Sequence, residues 1–198
     1  SQACVEETQD IPTDVTVTDN GNHTWTRRVR DYNPSLAIGG LLSAAWLYDW
    51  YNGTGSDVTI TVSVAYTTVR SNTVIAAVPQ ILTNVKDPAT YTVRTASVHD
   101  SSLPQLSMTP SSVGAQIIGA FSNTGSPVNG PIVAVAGNTI DTSPAMQFAS
   151  TGLAAGAVAR STPETTAGTA VLVGGSSPTA TSDPRFTVIA AEYLPSSA

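Results

Sequence analysis

Apolar and polar residues alternate one for one in "DVTITVSVAYTTV", where Val58, Ile60, Val62 and Val64 interleave with Thr59, Thr61, Ser63 and Ala65. A period of two predicts a strand with one face turned to the core. Val15 and Val17 alternate in the same way ahead of Asn20-Gly21, and the pattern resumes in "HTWTRRVRDY". Asn-Gly between two such runs predicts a tight hairpin whose turn residues take positive φ, with strands at about 14 to 19 and 22 to 31. Within the second strand, alternation sends Trp25, Arg27 and Val29 to one face and Thr24, Thr26, Arg28 and Arg30 to the other. Past Asn33-Pro34-Ser35 the period changes: Ile38, Leu42, Trp46 and Trp50 recur every fourth residue, a single stripe on a helix. Gly39 and Gly40 would each cost about 1 kcal/mol inside a helix, which confines the predicted helix to Leu41 through Trp50.

From there to the end, short β-rich runs such as "TVIAAVP", "TYTVRTASV", "AQIIGAF", "GPIVAVAG", "GTAVLVGG" and "RFTVIAAEYLP" are separated by Pro, Gly, Ser and Asn clusters that read as connectors. This many closely spaced strands predicts an all-β chain, a jelly-roll β-sandwich of about 8 to 11 strands with one or two short helices. No fixed period repeats, which argues against a propeller or a solenoid. Residues 1 to 12 carry Glu6, Glu7 and Asp10, lack a pattern and end at Pro12, so a flexible N-terminal arm is expected there, followed by one jelly-roll domain over residues 13 to 198.

Composition narrows the functional classes. Only 11% of the 198 residues are charged and Lys86 is the sole lysine, although 41% are hydrophobic. Soluble domains usually carry about 25% charged residues. Lys and Glu are depleted where protein surfaces meet, so a face rich in Ala, Thr, Ser and Val points to self-association into a homo-oligomer of many copies. The net charge of -6 disfavours a nucleic-acid condensing role. No run of apolar residues reaches the length of about 20 that a membrane helix needs; "LAIGGLLSAAWLYDW" is interrupted by Gly39, Gly40 and Asp49, and no membrane partner is expected.

Candidate chemistry is sparse. Two histidines and one cysteine, Cys4, are too few for a His/Cys metal centre. His99, Asp100 and Ser101 stand side by side in sequence, whereas a catalytic triad is assembled in space. "IDTSP" at 140 to 144 contains one Asp where a shared-proton pair of carboxylates needs two. "VGGSSP" has neither the spacing of a nucleophile elbow nor the Lys of a phosphate-binding loop. Asp14, Asp19, Asp49 and Asp57 read as turn-forming and helix-end aspartates, because calcium requires six to eight converging oxygens. Trp25, Trp46 and Trp50 are expected to pack in the core. No enzyme activity and no cofactor are expected.

The succession "HTWTRRVRDY", "LLSAAWLYDW", "DVTITVSVAYTTV" and "NTVIAAVP", closed by "RFTVIAAEYLP", resembles the jelly-roll shell domain in coat proteins of small icosahedral positive-strand RNA viruses, such as tombusviruses, sobemoviruses and nodaviruses. The resemblance is one of element order over about two-thirds of the chain. It implies a capsid subunit located in the virion, self-assembling around a genome, with calcium at subunit interfaces in some relatives but no ligands assignable in this chain. The acidic start "SQACVEETQDIPTD" departs from the Arg/Lys-rich arm of that group. Arg27, Arg28 and Arg30 are the candidate contacts with RNA or a neighbouring subunit, Arg28 and Arg30 through their shared face and Arg27 paired with Asp31 or another carboxylate. The alternative expectation is an extracellular β-sandwich binding module, carbohydrate-binding or adhesin-like, that uses the tryptophans or loop tips.

Overall fold

A computed structural model describes residues 12–32, 44–51, 58–66, 79–125, 132–147, 154–160, 163–176 and 184–196. The chain is all-β with antiparallel sheets. Its strands are β1 (Pro12–Asp19), β2 (Thr26–Tyr32), β3 (Ala44–Asp49), β4 (Ile60–Tyr66), β5 (Arg94–Ser101), β6 (Gln105–Met108), β7 (Gln116–Gly125), β8 (Val133–Ala134), β9 (Asn138–Gln147), β10 (Ala154–Arg160), β11 (Val171–Ser176) and β12 (Pro184–Tyr193). The only helical piece among the described residues is a 3-10 turn at Pro88–Thr90. No helix among them is long and apolar enough to cross a membrane. The expected arm at residues 1 to 12 lies outside the described residues except for Pro12, which opens β1.

The central sheet runs β5-β12-β7-β10-β9. Its axis is "RFTVIAAEY", a run without alternation, as a strand buried on both faces requires. Phe186, Val188 and Ala190 pack on one side with Ile117 and Phe121 of β7 and with Leu106, Met108 and Val173 of a second sheet, β6-β11-β8. Ile189, Ala191 and Tyr193 pack on the other side with Ala45 and Leu47 of β3. Burying a side chain of the Val, Ile or Phe class contributes about 2 kcal/mol, so a strand covered twice anchors the fold. β5 pairs with β12, β6 with β11 and β7 with β10, a set of nested antiparallel ladders. Gly174 lets β11 close on β6: its φ is +137°, and a Cβ there would lie 2.1 Å from the Pro104 carbonyl. Buried Asn138 pins the start of β9 to β11, donating to the carbonyls of Val135, Ala136 and Leu172 and accepting from the Gly174 amide.

The N-terminal region repeats the nesting on a smaller scale, with β1 paired to β4 and β2 to β3. The predicted Asn-Gly hairpin is therefore not formed. Asn20 instead extends the β1–β4 ladder, donating to Thr59 O and accepting from Thr59 N through its side chain. Asn22, at φ 57°, takes the positive φ expected of Asn20 and Gly21.

The predicted helix over Leu41 through Trp50 is also corrected, since Ala44–Asp49 is a strand. Ala45 and Leu47 are buried while Trp46 and Tyr48 are only partly so, a period of two. Residues 41 to 43 lie outside the described residues. The local four-residue spacing of aromatics lost to pairing with β2 and to packing of the small Ala45 against the central sheet.

Candidate functional site

Arg27, Arg28 and Arg30 start from one strand and end in different surroundings. Opposite β3, Arg27 aligns with Tyr48 and Val29 with Leu47, so Arg28 is the extra residue of a β-bulge. A bulge shifts the alternation and re-aims one side chain. Arg27 and Arg30, aligned with Tyr48 and Trp46, thus share the outer face of the β2–β3 ladder, and Arg28 leaves it. This overturns the expected common face for Arg28 and Arg30. The Arg30 guanidinium lies 5.3 Å from the Tyr32 ring centre and 6.0 Å from that of Trp46, within cation–π range. Arg27 is exposed and has no ion pair among the described residues. Asp31, its expected partner, faces His99 instead at 3.3 Å, tying β2 to β5.

The Arg28 Nε donates to Asp49 Oδ2 at 2.7 Å, with the two side chains only 18% and 14% exposed. Burial works to lower the Arg28 pKa, but the hydrogen bond and charge of Asp49 outweigh it and keep the guanidinium firmly protonated. Behind the pair, the buried Tyr193 hydroxyl has no partner in hydrogen-bond geometry; burial, and then the Asp49 carboxylate close by, push its pKa well above the phenol range. Tyr91 is raised too, chiefly by burial, although its hydroxyl accepts from the Leu194 amide at 3.0 Å.

Beside this pair a turn is built around Asp19. Its Oδ1 accepts from the amides of Gly21 and His23 and from His23 Nδ1 at 3.0 Å, and its Oδ2 accepts from the Trp25 indole at 2.7 Å. Burial pushes the Asp19 carboxyl up, but the Trp25 indole, the two amides and the His23 ring together hold it below its ordinary 3.8. His23 folds back over Gly21, where a Cβ would meet its ring at 2.2 Å, and stacks on Trp50 with ring centres 3.8 Å apart. Trp25 tilts against Trp50 at 5.9 Å. The tryptophans are thus half-buried at the periphery, and the expectation that they fill the core is corrected: neither core cluster contains one.

These elements border a cleft of about 300 Å³ lined by Thr24, Thr26, Arg28, Asp49, Trp50, Tyr51 and the turn Asp87–Ala89. The turn is held in place by pairing of the chain before it with the chain after β12: Lys86 N donates to Leu194 O, and Ser196 N to Asn84 O. Asp87 Oδ1 caps it by accepting from the Ala89 amide.

The sequence candidates for catalysis are not brought together. His99 and Ser101 lie on β5 rather than in a loop, and Ser101 Oγ is engaged with Leu103. No group of three or more His, Cys, Asp or Glu side chains among the described residues could hold a metal ion. The Arg28–Asp49 pair escaped sequence reasoning because the bulge that creates it depends on the partner strand. No family model matches the chain, and neither the curated proteins nor the solved structures contain a match to it.

Proposed function

We propose that the chain is a jelly-roll shell subunit that self-assembles into an icosahedral capsid around a genome, a structural rather than an enzymatic role. Counting β5 to β12 as strands one to eight, one lies beside eight, two beside seven and three beside six, and the sheets read 1-8-3-6-5 and 2-7-4, with strand five on the edge of the first sheet rather than beside strand four in the second. The nesting of one with eight, two with seven and three with six is that of two Greek keys wound from one long hairpin and supports the jelly-roll reading, from which the placement of strand five departs. Many unrelated functions use that fold, so the capsid role leans on the surface. The observation that carries it is the scarcity of charge together with exposed apolar side chains on the body, Ile81 at 90%, Val113 at 59% and Val133 at 51%. Such side chains are covered when copies of one chain meet. In this reading Arg27 and Arg30 are the weak RNA contacts, while Arg28 is engaged by Asp49. No calcium ligands are assigned.

Negative-stain imaging with size-exclusion chromatography tests the proposal. Closed particles of uniform diameter are expected, and a monomer that persists at high concentration in every buffer overturns it. A second reading, an extracellular β-sandwich binding module, is favoured by one observation: Trp50, against which His23 and Trp25 pack, lines an open cleft.

A further inference from the structure

We infer that the cleft between the β2–β3 ladder and the Asp87–Ala89 turn is a binding site for a neutral saccharide, one hexose or N-acetylhexosamine unit at a time. The inference gives the second reading its site and does not depend on assembly, since a shell subunit can carry such a cleft on its surface.

Three observations converge. The bulge removes Arg28 from the outer face and delivers it to the cleft, where it uses only Nε on Asp49, leaving both Nη groups without a partner among the described residues. Asp87 likewise uses only Oδ1, on the Ala89 amide, which leaves Oδ2 for a ligand. A guanidinium that donates beside carboxylates that accept is matched by neighbouring hydroxyls, each of which donates and accepts at once. Trp50 and Tyr51 supply aromatic surface for the C–H faces of a sugar ring, Tyr51 being 45% exposed.

Charge excludes the rivals. Arg28 and Asp49 cancel, and Asp87 leaves the lining with a net negative charge, which disfavours phosphate, sulfate and nucleic acid. Arg28 in turn disfavours a bare metal cation. A volume near 300 Å³ stands at the lower end of ligand sites, suited to a monosaccharide unit and too small for an extended peptide.

The test is an array of neutral hexose and N-acetylhexosamine glycans with sulfated glycans alongside, followed by calorimetry and tryptophan fluorescence with the methyl glycoside of the strongest hit. Wild-type protein should bind a neutral glycan and change its tryptophan emission. Tyr51→Ala, at an exposed position, and Asp49→Asn should each weaken binding about tenfold with an unchanged circular-dichroism spectrum. The inference is overturned by an array with no neutral hit, by undiminished binding in both folded variants, or by binding confined to sulfated glycans and lost in high salt. Particles are imaged on the same samples, so loss of glycan binding and loss of assembly are scored separately.

Discussion

β12 is covered on both faces, whereas β1 and β4 form a two-stranded ribbon with one face half open. In β12 every side chain from Phe186 to Tyr193 is at most 2% exposed. Along the ribbon the facing pair Val17 and Val62 is only partly buried, Ile60 is 38% exposed, and the Thr16–Ser63 and Thr18–Thr61 pairs face solvent. Both regions are nested antiparallel hairpins, so the pairing scheme does not set them apart. The difference is the number of layers. An isolated two-stranded ribbon is marginal in water, and this one is tied to β3 by the Tyr48 hydroxyl donating to the Val15 carbonyl. Stability should therefore be graded, highest in the central sheet and lowest in the ribbon.

The largest expected effect is in the doubly covered strand. Phe186→Ala removes a fully buried ring that meets Phe121 edge-on, and should cost about 4 kcal/mol in denaturant unfolding, lowering the stability of the whole chain. Leu47→Ala, in the layer that covers the other face, should cost about 2 to 3 kcal/mol. Hydrogen exchange should show β1 and β4 opening first while β7 and β12 stay protected. Equal loss of protection in all four strands would mean that the two regions form one cooperative unit.

A third test uses pH. The Asp19 carboxyl has a folded pKa below its unfolded value, so its bonds stabilise the β1–β2 connection above pH 4 and that contribution disappears as pH falls through the folded pKa. Trp25 and Trp50 emission should shift on acidification below pH 4, and Asp19→Asn should abolish that step while leaving the central sheet intact by far-ultraviolet circular dichroism. The smallest effect is expected of Arg27→Ala. That exposed side chain has no ion pair among the described residues, so unfolding should change by less than about 0.5 kcal/mol, with any defect appearing only in RNA binding or assembly.

What could be read from the sequence follows the same division. The apolar stretch Val188-Ile189-Ala190-Ala191 and the alternation of Val58 to Val64 each carry their strand pattern in their own residues, and both strands were legible, although the second is only partly buried. "AAWLYD" was not, because Ala45 faces inward without a strong hydrophobic signal and the aromatics happen to fall four apart; only β2 decides the period. The Asn20-Gly21 turn was misread for a similar reason. Asp19, one residue earlier, captures the Gly21 and His23 amides and makes a wider turn. Of the candidate site, the basic residues were visible, but the separation of Arg28 from Arg27 and Arg30 was set by a register shift between two strands. Asp87 became part of the cleft through contacts with residues more than a hundred positions away.

The position of β12 also bears on how the protein is made. β12, second in the central sheet, leaves the ribosome after both of its neighbours, and β5 and β7 are synthesised well before it. Until residue 193 emerges, those two strands wait with a gap between them and unpaired backbone groups on both rims. Closure over so long a sequence separation is slow, and a nascent chain held in that state presents an open slot into which a strand from another molecule fits as readily as its own.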